Sequence, residues 1–204
     1  YLYRNLSRGV FSSSTSIYPD DARDVVIADF DGNGVNDIVL AINNGQNKYF
    51  ANSAANDFIE TSSSYAVFDV HDYDNDGDQD LLSLVWGAGG GLTLQMNDGE
   101  QNYTASLIDS VYSTQLCVLD VDGDGYRDVV VPALYVEGVV PADPVYINDG
   151  DGTFTTLENA FDAIGHSMNC YSMDADMDGD GDVIFTSYDG DMELWLNNGS
   201  GDFT

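Results

Sequence analysis

Short apolar runs, each opening on an aspartate, recur along the chain: Asp37-Ile38-Val39-Leu40-Ala41-Ile42, Asp80-Leu81-Leu82-Ser83-Leu84-Val85, Asp128-Val129-Val130-Val131 and Asp182-Val183-Ile184-Phe185-Thr186. They are too short for the face of a helix and rich in β-branched and aliphatic residues, so they predict strands. A second signal runs out of phase with the first, an Asn followed six residues later by an aromatic: Asn5 to Phe11, Asn52 to Phe58, Asn97 to Tyr103, Asn148 to Phe154 and Asn197 to Phe203. The clearest copy, Asn148-Asp149-Gly150-Asp151-Gly152-Thr153-Phe154, has the Asn and Gly that a tight hairpin needs where φ is positive.

Both signals repeat at intervals of about fifty residues, and several short strands per unit at that period predict a β-propeller or a related β array. In the first complete unit the strands are expected from Asp24 to Asp29, from Asp37 to Ile42, from Lys48 to Asn52 and from near Phe58. The predicted architecture is all-β, a β-propeller of four-stranded antiparallel blades, with about four blades plus a partial one. The chain is read as a single region divided into a partial blade at 1–19 and repeats at approximately 20–63, 64–110, 111–160 and 161–204. Two residues before each hairpin Asn stand Tyr3, Phe50, Gln95, Tyr146 and Trp195, a slot for a large ring. Trp195 is therefore expected to pack between neighbouring sheets rather than to stack on a ligand.

Ahead of each aspartate-led strand lies a loop with carboxylates at alternate positions, most fully in Asp72-Tyr73-Asp74-Asn75-Asp76-Gly77-Asp78-Gln79-Asp80. Calcium takes six to eight oxygens, and a short loop supplies them when the side chains at positions 1, 3 and 5 converge with a backbone carbonyl at position 7. The expected ligands are Asp72, Asp74, Asp76, the carbonyl of Asp78, and Asp80. The same frame gives Asp29, Asp31, Asn33, the carbonyl of Val35 and Asp37; then Asp120, Asp122, Asp124, the carbonyl of Tyr126 and Asp128; then Asp174, Asp176, Asp178, the carbonyl of Asp180 and Asp182. About four Ca²⁺ ions are implied. An EF-hand would close with a bidentate Glu at position 12, where this chain has Leu40, Ser83, Val131 and Phe185, so each loop joins strand to strand instead.

Composition narrows the partners. The chain has 204 residues, 43% hydrophobic and 12% aromatic, enough for a folded core. Its formal charge of -31 arises from 36 acids against five basic residues, and nearly half of those acids lie inside the four frames. Nucleic acid and anionic membrane, which need clustered Lys and Arg, are poor partners, while cationic or metal-bridged ones stay open. No apolar run is long enough to span a bilayer, so membrane insertion is not expected. The chain opens at Tyr1 without signal-like regions and reads as a mature or excised piece. Loops of the weak extracellular type need calcium well above cytosolic levels, which predicts a secreted or surface location. Cys117 and Cys170 each lie a few residues before a loop, in inner strands; two buried thiols are expected, with a disulfide as the alternative. Sequons stand at Asn5, Asn102 and Asn198.

The D-x-D-x-[DN]-G-x-x-D loops followed by aliphatic strands, with hairpins such as Leu2-Tyr3-Arg4-Asn5 and Tyr146 to Phe154, resemble the FG-GAP and VCBS repeats of integrin α-subunit heads and many bacterial secreted proteins. The resemblance covers essentially the whole chain. It implies Ca²⁺ held between the first two strands of each propeller blade by the ligands named above. Asn33 stands where the family has an acid but still offers an oxygen, and Asn52 to Phe58 lacks the hairpin glycines. With four loops against five hairpins, the chain is expected to begin within one blade and to stop just inside the last strand of another, whereas the family usually has seven blades. Open blade ends carry unpaired backbone groups. They are expected to be covered by further chain, or by self-association in which Leu2 to Ser13 joins a blade of the same or a neighbouring molecule.

Away from metal, the connections on the opposite face are the expected contact surfaces, and Trp86, Tyr135 and Tyr188 form the candidate ligand-binding set. The glycine-rich stretch Trp86-Gly87-Ala88-Gly89-Gly90-Gly91 lacks the Lys and helix of a phosphate cradle. His71 and His166 have no Ser or Cys partner in a recognisable motif and read as structural, so no catalytic residue is assigned and the chain is not read as an enzyme. The expected function is an extracellular calcium-binding β-propeller module, a rigid scaffold for binding or adhesion to a protein or glycan. The alternatives are a filament or array subunit assembled by blade completion, and an accessory propeller of a secreted polysaccharide-processing enzyme.

Overall fold

The structure is a computed structural model that describes residues 5–7, 10–11, 22–29, 31, 33–42, 48–52, 58–62, 67–84, 91–99, 102–113, 115–134, 142–161 and 167–204. Among these residues there are strands and no helix. The chain forms two compact units, Tyr1–Ala66 and Val67–Thr204.

In the first unit, β1 (Asn5–Ser7) pairs with β2 (Val10–Phe11), and β3 (Ala22–Ala28), β4 (Asp37–Ile42), β5 (Lys48–Asn52) and β6 (Phe58–Ser62) make a four-stranded antiparallel sheet in chain order. Among its described residues, Ile38, Val39, Leu40 and Phe50 are the buried apolar side chains.

The second unit holds three sheets of the same plan. The first is β7 (Val67–His71), β8 (Asp80–Leu84), β9 (Leu92–Asn97) and β10 (Tyr103–Asp109); the second is β11 (Cys117–Leu119), β12 (Asp128–Val130), β13 (Val145–Asn148) and β14 (Phe154–Leu157); the third is β15 (Ser167–Met173), β16 (Asp182–Ser187) and β17 (Met192–Trp195). No closed barrel is formed among the described residues.

The hairpin signal is visible in the register. Asn5, Asn52, Asn97, Asn148 and Asn197 are each the direct cross-strand partner of the aromatic six residues on, Phe11, Phe58, Tyr103, Phe154 and Phe203.

The three sheets of the second unit pack face to face, and this explains why the aspartate-led runs are continuously apolar rather than alternating: strands buried on both faces have no solvent side. Every residue of β8 and β12 is buried. One core lies between the first and second sheets, with Tyr73, Leu82, Leu92 and Leu94 against Leu116, Val129, Val131 and Tyr146. The other lies between the second and third, with Cys117, Leu119, Val130 and Val145 against Cys170, Val183 and Phe185. Phe161 closes that core edge-on, its ring centroid 5.0 Å from Phe185 and 5.5 Å from Trp195. Trp195 thus packs between sheets, as its slot predicts.

Polar ties cross both interfaces. The Tyr146 hydroxyl donates to Asp109 at 2.9 Å, and Arg127 forms an ion pair with Asp69 at 3.1 Å. Asp143, buried, accepts from the Ala133 N–H at 2.6 Å and the Ser167 hydroxyl at 2.7 Å, and burial pushes its pKa up to about 6.

The cysteines correct the sequence reading. Cys117 and Cys170 are both buried, as expected, but they are joined as a disulfide rather than standing as two thiols, with their Cα atoms 5.8 Å apart. Sequence could not settle this, because the pairing depends on the second and third sheets being stacked. The bond crosses that interface and closes a loop with a sequence separation of 53. Replacing both cysteines by Ser is expected to cost about 4 kcal/mol of unfolding free energy. The denaturant midpoint, compared with that of the oxidised parent, checks this.

Candidate metal centres

Each loop is built by short side-chain-to-backbone hydrogen bonds that a carboxylate or amide oxygen makes two to five residues ahead. The position 1 aspartates clasp the turn: Asp29 accepts from the Asn33 and Gly34 amides at 3.1 and 2.7 Å, and Asp72 from those of Asp76 and Gly77 at 3.1 and 3.0 Å. Asp120 accepts from Gly123 and Gly125 at 2.8 and 3.0 Å. At position 5, Asn33, Asp76, Asp124 and Asp178 each accept from the amide of position 7 at 2.8–2.9 Å. Position 6 is Gly in all four loops with φ between +85° and +102°, a conformation only Gly adopts cheaply.

These turns fold the carboxylates inward. In every frame the aspartates of positions 1, 3 and 9 bring ligand atoms within 4.8 Å of one another: Asp29, Asp31 and Asp37; Asp72, Asp74 and Asp80; Asp120, Asp122 and Asp128; Asp174, Asp176 and Asp182. Carboxylates so close repel unless a cation or protons intervene. Four all-oxygen, multiply anionic triads can hold metal ions, and hard oxygen donors are compatible with calcium.

The side chains at position 7 do not join the triads. A Cβ on Gly99 or Gly199 would meet the carboxylates of Asp78 and Asp180, and one on Gly150 would meet the ring of Tyr126. The hairpin glycines of these three repeats therefore make room for the position 7 side chain of their own loop, leaving the backbone carbonyl as the group of position 7 expected to ligate.

The ninth residue has a role beyond ligation. Asp37, Asp80, Asp128 and Asp182 have no exposed surface. Their Oδ1 atoms accept the amides of Asn52, Asn97, Asn148 and Asn197 at 2.6, 2.9, 2.8 and 2.9 Å. The other oxygen of Asp80, Asp128 and Asp182 accepts the amide of position 2 (Tyr73, Val121 and Ala175) at 2.7 Å, and that of Asp37 accepts the Tyr49 hydroxyl at 2.9 Å. The residues that sequence reasoning missed as part of the site are these hairpin Asn residues, whose constant spacing was read as turn chemistry alone.

The period from the second loop to the strand after the third is what known families recognise. Residues 72–131 match the FG-GAP-like repeat. The matched segment contains the Asp72 and Asp120 triads and the strands β8 to β12. No curated protein matches the chain.

Among the candidates for ligand binding, Tyr188 lies in the β16–β17 turn and is 75% exposed. Trp86, Tyr135 and His166 lie outside the described residues. His71 meets Tyr73 edge-on at 5.8 Å, and burial, with Arg127 nearby, lowers its pKa.

Two predictions follow from the loops themselves. Among the described residues, position 4 is left-handed at Asn75 (φ 59), Gly123 (φ 78) and Met177 (φ 66). Met177 is 88% exposed. Met177→Asn, matching the second loop, is expected to stabilise the protein by about 0.5–1 kcal/mol in chemical denaturation.

The second concerns pH. Burial pushes Asp80 up to about 6 and Asp128 up to about 7. Without cation the folded chain keeps protons that the unfolded chain has lost, so its stability falls as pH rises from about 4 to about 7. A bound divalent cation favours the ionised carboxylates. Metal binding is therefore expected to release protons below about pH 7, with apparent affinity climbing towards that pH and then levelling. Calorimetry in buffers of different ionisation enthalpy measures the release.

Proposed function

We propose that the chain is an extracellular calcium-binding module of the β-propeller type, a rigid scaffold that presents a surface to a protein or glycan and does no chemistry itself. The observation that carries the reading is fourfold: the same carboxylate triad, made by positions 1, 3 and 9 of one frame, recurs in all four loops, and two of the four lie in the FG-GAP-like segment. FG-GAP repeats typically occur in extracellular proteins, where calcium is abundant enough for sites of modest affinity.

The ligands assigned to each ion are the residues at positions 1, 3, 5 and 9 with the carbonyl of position 7. Calcium would supply the positive charge that lets these carboxylates stay ionised side by side. The chain's own part is to fasten the exit of one strand to the entry of the next through the buried ninth aspartate. Support for a binding role comes from the third sheet of Val67–Thr204. There Tyr171, Ile184 and Leu194 form one cross-strand row, with Tyr171 54% and Leu194 49% exposed. The equivalent row of the sheet before it, Cys117, Val130 and Val145, is buried under the next sheet. An exposed apolar row of this kind suits burial against a further sheet or a partner.

Calorimetric titration tests the reading: about four calcium equivalents are expected, falling by one in each of Asp31→Ala, Asp74→Ala, Asp122→Ala and Asp176→Ala. At free calcium tenfold above the site constant, each occupied site adds ~1.4 kcal/mol to stability, so the melting temperature should drop on chelation. Absence of binding at millimolar calcium would overturn the assignment.

A further inference from the structure

The hairpin Asn side chains do not all face the same way. Asn52 and Asn97 donate their Nδ2–H to position 8 of their own loop, the carbonyls of Asn36 at 2.9 Å and Gln79 at 3.2 Å. Asn148 and Asn197 reach instead into the loop of the preceding repeat: Asn148 donates to the Tyr73 carbonyl at 3.2 Å and Asn197 to the Val121 carbonyl at 2.8 Å. The Gly201 amide also donates to the Val121 carbonyl, at 3.1 Å.

Tyr73 and Val121 occupy position 2 of their loops, between the first two carboxylates of the triad. Each also gives its amide to the ninth aspartate of that loop, Tyr73 to Asp80 and Val121 to Asp128. Asn148 and Asn197 in turn give their own amides to the ninth aspartates Asp128 and Asp182. An unbroken series of hydrogen bonds therefore runs from Asp80 through Tyr73 and Asn148 to Asp128, then through Val121 and Asn197 to Asp182.

Resting on the calcium reading above, we propose that this series makes the second, third and fourth loops bind their ions cooperatively, with Asn148 and Asn197 as the positioning residues that transmit occupancy. A cation in the third loop fixes Asp128 and with it the Asn148 backbone. The amide of Asn148 then holds the Tyr73–Asp74 peptide where Asp72 and Asp74 converge with Asp80. By reciprocity, occupancy of the second loop favours the third to the same extent. Neither Asn belongs to the assigned ligand sets, so the effect on a neighbouring loop separates coupling from ligation.

The test uses the full chain with loops one and four disabled by Asp31→Ala and Asp176→Ala. Calorimetric calcium titration then gives the overall constant for the second and third loops together. Adding Asp122→Ala or Asp74→Ala gives each loop alone. The combined constant is expected to exceed the product of the separate ones by about fivefold or more, the usual size of such coupling. Asn148→Ala should bring that factor to one. Asn97→Ala is the matched control, because Asn97 and Asn148 accept the same hairpin amide, from Gly99 and Gly150, and differ in where Nδ2 points; it should leave the factor intact.

A factor of one in the chain that retains Asn148 overturns the inference while leaving calcium binding standing, whereas no binding in any chain overturns both. A second measurement needs no substitution. Hydrogen exchange of the Tyr73, Val121 and Ala175 amides during calcium titration should gain protection in a single step steeper than a simple hyperbola, and separate hyperbolic steps would overturn the coupling.

Discussion

A carboxylate placed at the first residue of the second strand, with no exposed surface, and given two hydrogen-bond donors from opposite ends of its repeat, is the constraint on which the rest of the molecule depends. Asp80, Asp128 and Asp182 each tie the second residue of the loop to the hairpin Asn that follows the third strand's apolar residues. Burial of an ionised group is costly unless it is paired and hydrogen-bonded. Two amides answer for its lone pairs, and a cation beside positions 1 and 3 would answer for its charge. Removing either amide would leave a buried acceptor unsatisfied, so loop, strand and hairpin hold one another in register.

From this clasp the packing follows. With loop and hairpin fastened at one end, the strands between them present apolar side chains on both faces, and in Val67–Thr204 three sheets stack through two continuous cores. The two interfaces are held differently. Between the first and second sheets the ties are polar, Tyr146 to Asp109 and Arg127 to Asp69. Between the second and third, a disulfide occupies the core, and Asp143 bridges the rim to Ser167. The Asn148 and Asn197 side chains add a further tie along the loop face, each reaching from its hairpin into the loop before it.

The functional reading is a consequence of the same geometry. A surface intended for recognition benefits from rigidity, because less conformational freedom is lost on binding. On the proposed reading, that rigidity would draw on a cation that neutralises the clustered carboxylates.

Much of this was legible in the sequence. The alternation of acids, the glycine at position 6 and the apolar run after position 9 are local signals, and each acts within a few residues of itself. The loops, the strand after each loop and the Asn-to-aromatic hairpins therefore read directly from spacing. Local pattern does not encode which surface meets which. That Cys117 faces Cys170 across an interface, and that Asn148 and Asn197 reach into the preceding loop while Asn52 and Asn97 cap their own, were decided only when the sheets stacked. The physical reason is range: a turn or a cation loop is set by neighbours along the chain, whereas disulfides, shared carbonyls and buried faces are set by residues dozens of positions away, brought together by burial of apolar area that carries no address of its own.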